Sequence, residues 1–151
     1  MARPYASGTK VSEAKSHFEL TQILKKYGCN ETGWMDKDTQ STLGFTREGV
    51  TYRFTLDLPL DESKIRVGRE YRPSTHGSKL DYERARKMRA LVAVVKAQLI
   101  AIEEGITTFD RMFVGSAVTD NGQTVAERWA PEIARKALDG TYPSALPGGR
   151  P

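Results

Sequence analysis

Three features of the sequence predict an α+β fold. Apolar and polar residues alternate from Val50 to Leu58, the mark of a half-buried strand. Lys79 to Glu104 carries a helical pattern about 26 residues long. Short polar breaks separate that strand from two weaker strand-like segments ahead of it, and such short turns favour antiparallel pairing. The expected architecture is a three-stranded antiparallel meander packed on one long helix, with an N-terminal helix and short C-terminal helices completing the core. The 151 residues suit one domain. A chain of this length buries about two-thirds of its unfolded surface and needs neither metal nor disulfide to fold. Cys29 is the single cysteine, so no intrachain disulfide forms, which fits a reducing compartment.

Residues 1–10 read as a flexible arm ahead of a single domain over 11–140. Ser12 is a good N-cap, and Leu20, Ile23, Leu24 and Tyr27 follow at i, i+3, i+4, i+7 on one helix face. Gly28 ends that helix by taking the left-handed conformation. Strands are expected over Asn30 to Met35, Ser41 to Thr46 and Val50 to Leu58, with turns at Asp36-Lys37-Asp38 and Glu48-Gly49. Pro59 closes the third strand because it cannot donate to the ladder. Residues 60–78 have no apolar period and read as a long basic loop. Ser78 and Asp81 resemble a capping box for the long helix, and Gly105 closes it. From Leu91 to Ile102 that helix is apolar nearly all round, which predicts burial on several sides. Thr107 to Asp110 opens another short helix. Thr124 and Glu127 form a capping box for a last one, expected to bend or restart at Pro131 and stop at Gly140. Residues 141–151 read as an extended Pro/Gly-rich tail.

The formal net charge is only +4, yet its distribution is uneven. Ten basic and three acidic residues between Lys64 and Lys96 give +7 there, leaving −3 for the rest of the chain. Tyr82, Arg89 and Lys96 recur every seven residues, so they stack along one stripe of the long helix with Arg86 beside it. Arg66, Arg69 and Arg72 precede them in the loop, with Tyr71 among them. Cations interleaved with tyrosines suit phosphates and a stacked base. The candidate ligand-binding set is therefore Arg66, Arg69, Tyr71, Arg72, Tyr82, Arg86, Arg89 and Lys96. The competing account is a solvated basic face. Lys96 sits among apolar residues, so it either snorkels to water or meets a carboxylate or a ligand phosphate.

Catalytic signals are sparse, and no catalytic residue or cofactor is assigned. His17 and His76 are the two histidines, and with one cysteine they fall short of the roughly four N or S ligands of a zinc site. Asp36-Lys37-Asp38 begins like a calcium loop, but Ser41 and Arg47 stand where Gly and Glu are required. There is no P-loop and no Gly-x-Gly-x-x-Gly. The first twenty residues contain no apolar run of the kind a signal peptide needs, and Ala90 to Ile102 is too short to span a bilayer. A cytoplasmic protein is expected.

Arg89-Ala90-Leu91, Lys96-Ala97, Leu99, Glu103 or Glu104, Gly105-Ile106-Thr107-Thr108-Phe109, Phe113 and Asn121-Gly122-Gln123-Thr124-Val125 resemble a family of small proteins from tailed phages and prophages. The likeness extends over most of residues 11–131 and takes in Lys15, Tyr27-Gly28 and the strand pattern through Pro59. It implies a phage origin and action inside a host cell, commonly beside DNA-metabolism genes. The family is uncharacterised and supplies no catalytic residues.

The leading expectation is a non-enzymatic phage accessory protein that binds nucleic acid or a nucleotide through the basic loop and helix face. A protein-binding module that modulates a host defence or metabolic factor is the second reading. An enzyme using Cys29 or a carboxylate pair is the third. The two free edges of a three-stranded sheet favour a homodimer or a protein partner.

Overall fold

The structure, a computed structural model, describes residues 3–140; the expected tail over 141–151 lies outside them. The element order is α1 (Glu13–Lys26), β1 (Asn30–Lys37), β2 (Gln40–Arg47), β3 (Val50–Asp57), α2 (Pro73–His76), α3 (Lys79–Glu103), α4 (Phe109–Phe113) and α5 (Val125–Leu138). Single 3-10 turns at Glu62–Lys64 and Val114–Ser116 punctuate it. The three strands form one antiparallel sheet in the order β1-β2-β3, which is the expected α+β meander.

Local chemistry accounts for most boundaries. The Ser12 hydroxyl accepts a hydrogen bond from the Lys15 amide and opens α1, and Gly28, at φ +78°, turns the chain out of it. Arg47 pairs with Val50 across Glu48-Gly49, and both turn residues have positive φ, as a two-residue hairpin that follows strand twist requires. The Ser78–Asp81 and Thr124–Glu127 capping boxes are both formed.

The core joins α1, α3, α4 and one face of the sheet. Leu20 and Leu24 from α1 meet Leu43, Phe45 and Tyr52 from the sheet, and Met88, Leu91, Val92, Val95 and Leu99 from α3. Phe109 and Phe113 close one end, where the Tyr52 and Phe109 rings stand edge to face 5.5 Å apart. The principal backbone neighbour of α3 is α1, so the long helix reaches the sheet side by side with α1.

Four expectations are corrected. The first turn falls at Asp38-Thr39, because β1 runs on to Lys37 and Asp36 pairs with Ser41. The 60–78 segment is not irregular throughout: it holds a 3-10 turn and the short α2, and is pinned by the buried Ile65. The apolar half of α3 is not buried all round, since Val94 and Ile100 face solvent while Val92, Val95 and Leu99 are enclosed. α5 runs unbroken past Pro131. The β3 edge is also partly covered, because Tyr52 bridges to Ala117 and the Val118 amide donates to the Thr51 carbonyl at 2.8 Å.

Candidate functional site

The eight predicted ligand-binding residues divide by what α3 packs against. Arg89 and Lys96 lie on the side of α3 that faces α1, where Glu19 meets both. Arg89 donates to Glu19 Oε2 at 2.5 Å and Lys96 donates to Glu19 Oε1 at 2.6 Å. Lys96 and then Arg89 hold the Glu19 carboxyl below its ordinary range. Lys96 thus has a partner carboxylate and keeps a part-exposed head, joining the two accounts that its apolar setting suggested. Arg86 clamps the carboxylate of buried Glu83 through Nε and Nη2, at 3.1 and 2.6 Å, and its Nη1 donates to the Tyr5 carbonyl.

Tyr82 is removed from the base-stacking role. Its ring is buried among Tyr71, His76 and the N-terminal segment, with the Tyr71 and His76 centroids 5.3 and 5.1 Å away. Its hydroxyl accepts the Gly8 amide at 2.9 Å and donates to Glu70 Oε1 at 3.4 Å. The expected stripe of Tyr82, Arg89 and Lys96 therefore joins α3 to the N-terminal segment and to α1.

The loop cations behave differently. Arg66 and Arg69 are exposed and have no ion pair among the described residues. Arg72 is exposed, its guanidinium donating only to the backbone carbonyls of Arg69 and Tyr71. Tyr71 is half-buried and donates to the Gly77 carbonyl. Lys64, Arg66, Arg86 and Lys87 line one open cleft of about 590 Å³, floored by Leu58, Pro59 and Ile65. The Lys87 ammonium is held toward it by the Asp57 carbonyl, 2.8 Å away. Arg69 and Arg72 flank it along the chain.

A second cleft, of about 480 Å³, lies between the start of α1, Asp36 of β1 and the segment from Thr75 to Ala85. Glu13 and His17 face it from adjacent turns of α1, with His17 Nε2 3.5 Å from Glu13 Oε1. Neither atom has a hydrogen-bond partner, although both are shielded from solvent. Asp36 completes a group whose ligand atoms all lie within 4.8 Å of one another. Burial pushes the Glu13 carboxyl up, aided by Asp36 and Asp81 against Arg84. Burial pushes the His17 ring down, against Asp36. The sequence reading passed over this group. Glu13 and His17 show an i, i+4 spacing in the sequence, but Asp36 has turn composition, and only the fold brings it to them.

Cys29 lies in the apolar core, and burial pushes its thiol up to about 11, which disfavours the thiolate at neutral pH. No helix among the described residues is long and apolar enough to cross a membrane. No family model matches the chain, and neither curated proteins nor solved structures give a significant match.

Proposed function

We propose that this protein binds nucleic acid or a nucleotide through the phosphates, using the 60–78 loop and the cleft beside it. The observation that carries this reading is the convergence of Lys64, Arg66, Arg86 and Lys87 on one cleft, with Arg69 and Arg72 exposed further along the same loop. Glu83 balances Arg86 and Asp57 also lines the cleft, so its four cations and two carboxylates leave a net charge of +2. Unpaired guanidinium groups on a loop match phosphate oxygens in their fork geometry. Tyr82, Arg89 and Lys96 act structurally. The likeness to small phage proteins supports action inside a host cell, near nucleic acid.

Fluorescence anisotropy with labelled single-stranded DNA, duplex DNA, RNA and a nucleoside triphosphate, each across a salt series, tests the reading. Binding should weaken steadily with salt, because releasing counterions gains less free energy as bulk salt rises. The triple variant Arg66→Ala/Arg69→Ala/Arg72→Ala should lose at least about tenfold in affinity and much of the salt slope. Absence of salt-sensitive binding to all four probes overturns it.

A second reading, a protein-binding module acting on a host factor, is favoured by α5. Val125, Trp129 and Ile133 recur every four residues on that helix, and Trp129 and Ile133 are exposed. No residue of α5 is buried. Aromatic anchors of this kind dominate protein interfaces. Trp129→Asp should abolish capture of a stoichiometric partner, or dissociate a homodimer, while circular dichroism shows the chain still folded; equal capture by the variant counts against this reading.

A further inference from the structure

The cleft at the start of α1 has the features of a metal site. His17 Nε2 and Glu13 Oε1 are two potential ligand atoms 3.5 Å apart, shielded from solvent, and neither is hydrogen-bonded. That separation is close to the edge of a tetrahedron, about 3.4 Å for metal–ligand bonds of about 2.1 Å. Without an ion, such an arrangement leaves two buried polar groups unsatisfied, which is costly. Two of the three members are also held from behind. The His17 ring lies flat on Trp34, with centroids 3.8 Å apart and planes within 9°. The buried Ser41 hydroxyl donates to Asp36 Oδ1 at 2.5 Å, which leaves the other carboxylate oxygen free. Arg84 is not a full partner for Glu13: it stands 4.0 Å away and donates at 3.0 Å to the Lys37 and Asp38 carbonyls.

We propose that Glu13, His17 and Asp36 bind one divalent first-row transition ion, of the zinc or manganese kind. One imidazole and two carboxylates form a mixed N/O set that suits such ions better than thiolate-seeking or purely oxygen-seeking ones. Three protein ligands leave coordination positions open toward the cleft, for water or an anionic oxygen. His76 shares the cleft but is not a ligand. Its Nδ1 accepts the Arg72 amide at 2.8 Å, so the neutral ring carries its proton on Nε2 and is a donor there. The His76 ring packs against Tyr71 and Tyr82, and its Nε2 is shielded from solvent. The site shares no lining residue with the basic cleft and does not rest on anion binding.

The test uses the full chain without a histidine tag, stripped with a chelator. Isothermal titration with Zn²⁺, Mn²⁺, Mg²⁺ and Ca²⁺ should give one equivalent for Zn²⁺ or Mn²⁺ and much weaker binding of Mg²⁺ and Ca²⁺. Asp36→Asn and His17→Gln should each weaken binding by at least about tenfold. His76→Gln should keep it. Because His17 lies on Trp34, Co²⁺ should quench Trp34 fluorescence at one equivalent in a Trp129→Phe background. The quench reports on this site even where a ligand variant fails to fold. Absence of one-to-one binding overturns the proposal. So does binding that Asp36→Asn leaves intact, binding that His76→Gln removes as fully as Asp36→Asn, or binding that leaves Trp34 unquenched.

Discussion

Glu19 holds two cations on one carboxylate, Arg89 at 2.5 Å and Lys96 at 2.6 Å, and so ties α3 to α1. Because the carboxylate is about one-third exposed, solvent screening limits what the pair contributes. Glu19→Gln should cost about 1 kcal/mol, a Tm drop of about 2–4 °C for a domain of this length. On the proposed reading, its affinity for nucleic acid should stay within about twofold, because the charges proposed to meet phosphate lie on the loop and the cleft beside it. A several-fold gain in affinity would return Arg89 and Lys96 to the binding surface. Cys29 makes a pH-dependent prediction. Burial favours its neutral thiol in the folded chain, with a value of about 11 against an ordinary 9.0. The folded state therefore holds its proton where the unfolded state releases it. Stability from this residue is complete below pH 9.0 and is lost as pH climbs through about 11. Urea unfolding across that window should show the wild type losing stability faster than Cys29→Ala. Native protein should also resist thiol labelling at neutral pH.

Among the helices, burial separates those that hold the fold from those that ride on it. Leu20 in α1 is fully enclosed, whereas Leu138 in α5 is 90% exposed. Leu20→Ala should cost about 2–5 kcal/mol in chemical denaturation, and Leu138→Ala under about 0.5 kcal/mol. Comparable losses would mean that α5 is packed in solution by a partner or a second copy. The α1 and α3 caps, the Glu48-Gly49 hairpin and the alternation of β3 were all legible, because each depends on residues within a few positions of one another. The extension of β1 through Asp36 was not. Polar Asp36-Lys37-Asp38 has turn composition, and pairing with β2 overrode it by giving Asp36 a partner in Ser41.

Across the molecule, the +7 segment divides into an internal and an external part. Arg86 pairs with buried Glu83, Arg89 and Lys96 share the part-exposed Glu19, and Lys64, Arg66, Arg69 and Arg72 remain in water. Three or four phosphate contacts correspond to a salt slope of about −2 to −3, so affinity should fall roughly thirtyfold between about 50 and 200 mM salt. Anisotropy titrations read that slope directly; a flat profile would leave the loop as a solvated surface. The α+β class, the strand order and most helix ends follow from hydrophobic period and capping chemistry, which act over a few residues. Which basic residues stay free, and which ligand-type groups meet, depends on contacts between distant parts of the chain. Glu19 reaches Arg89 and Lys96 across 70 and 77 positions, and Asp36 reaches Glu13 and His17 only once β1 lies beside α1. Charge and chemistry are properties of residues, but a site is a property of their spacing in three dimensions, and only packing sets that spacing.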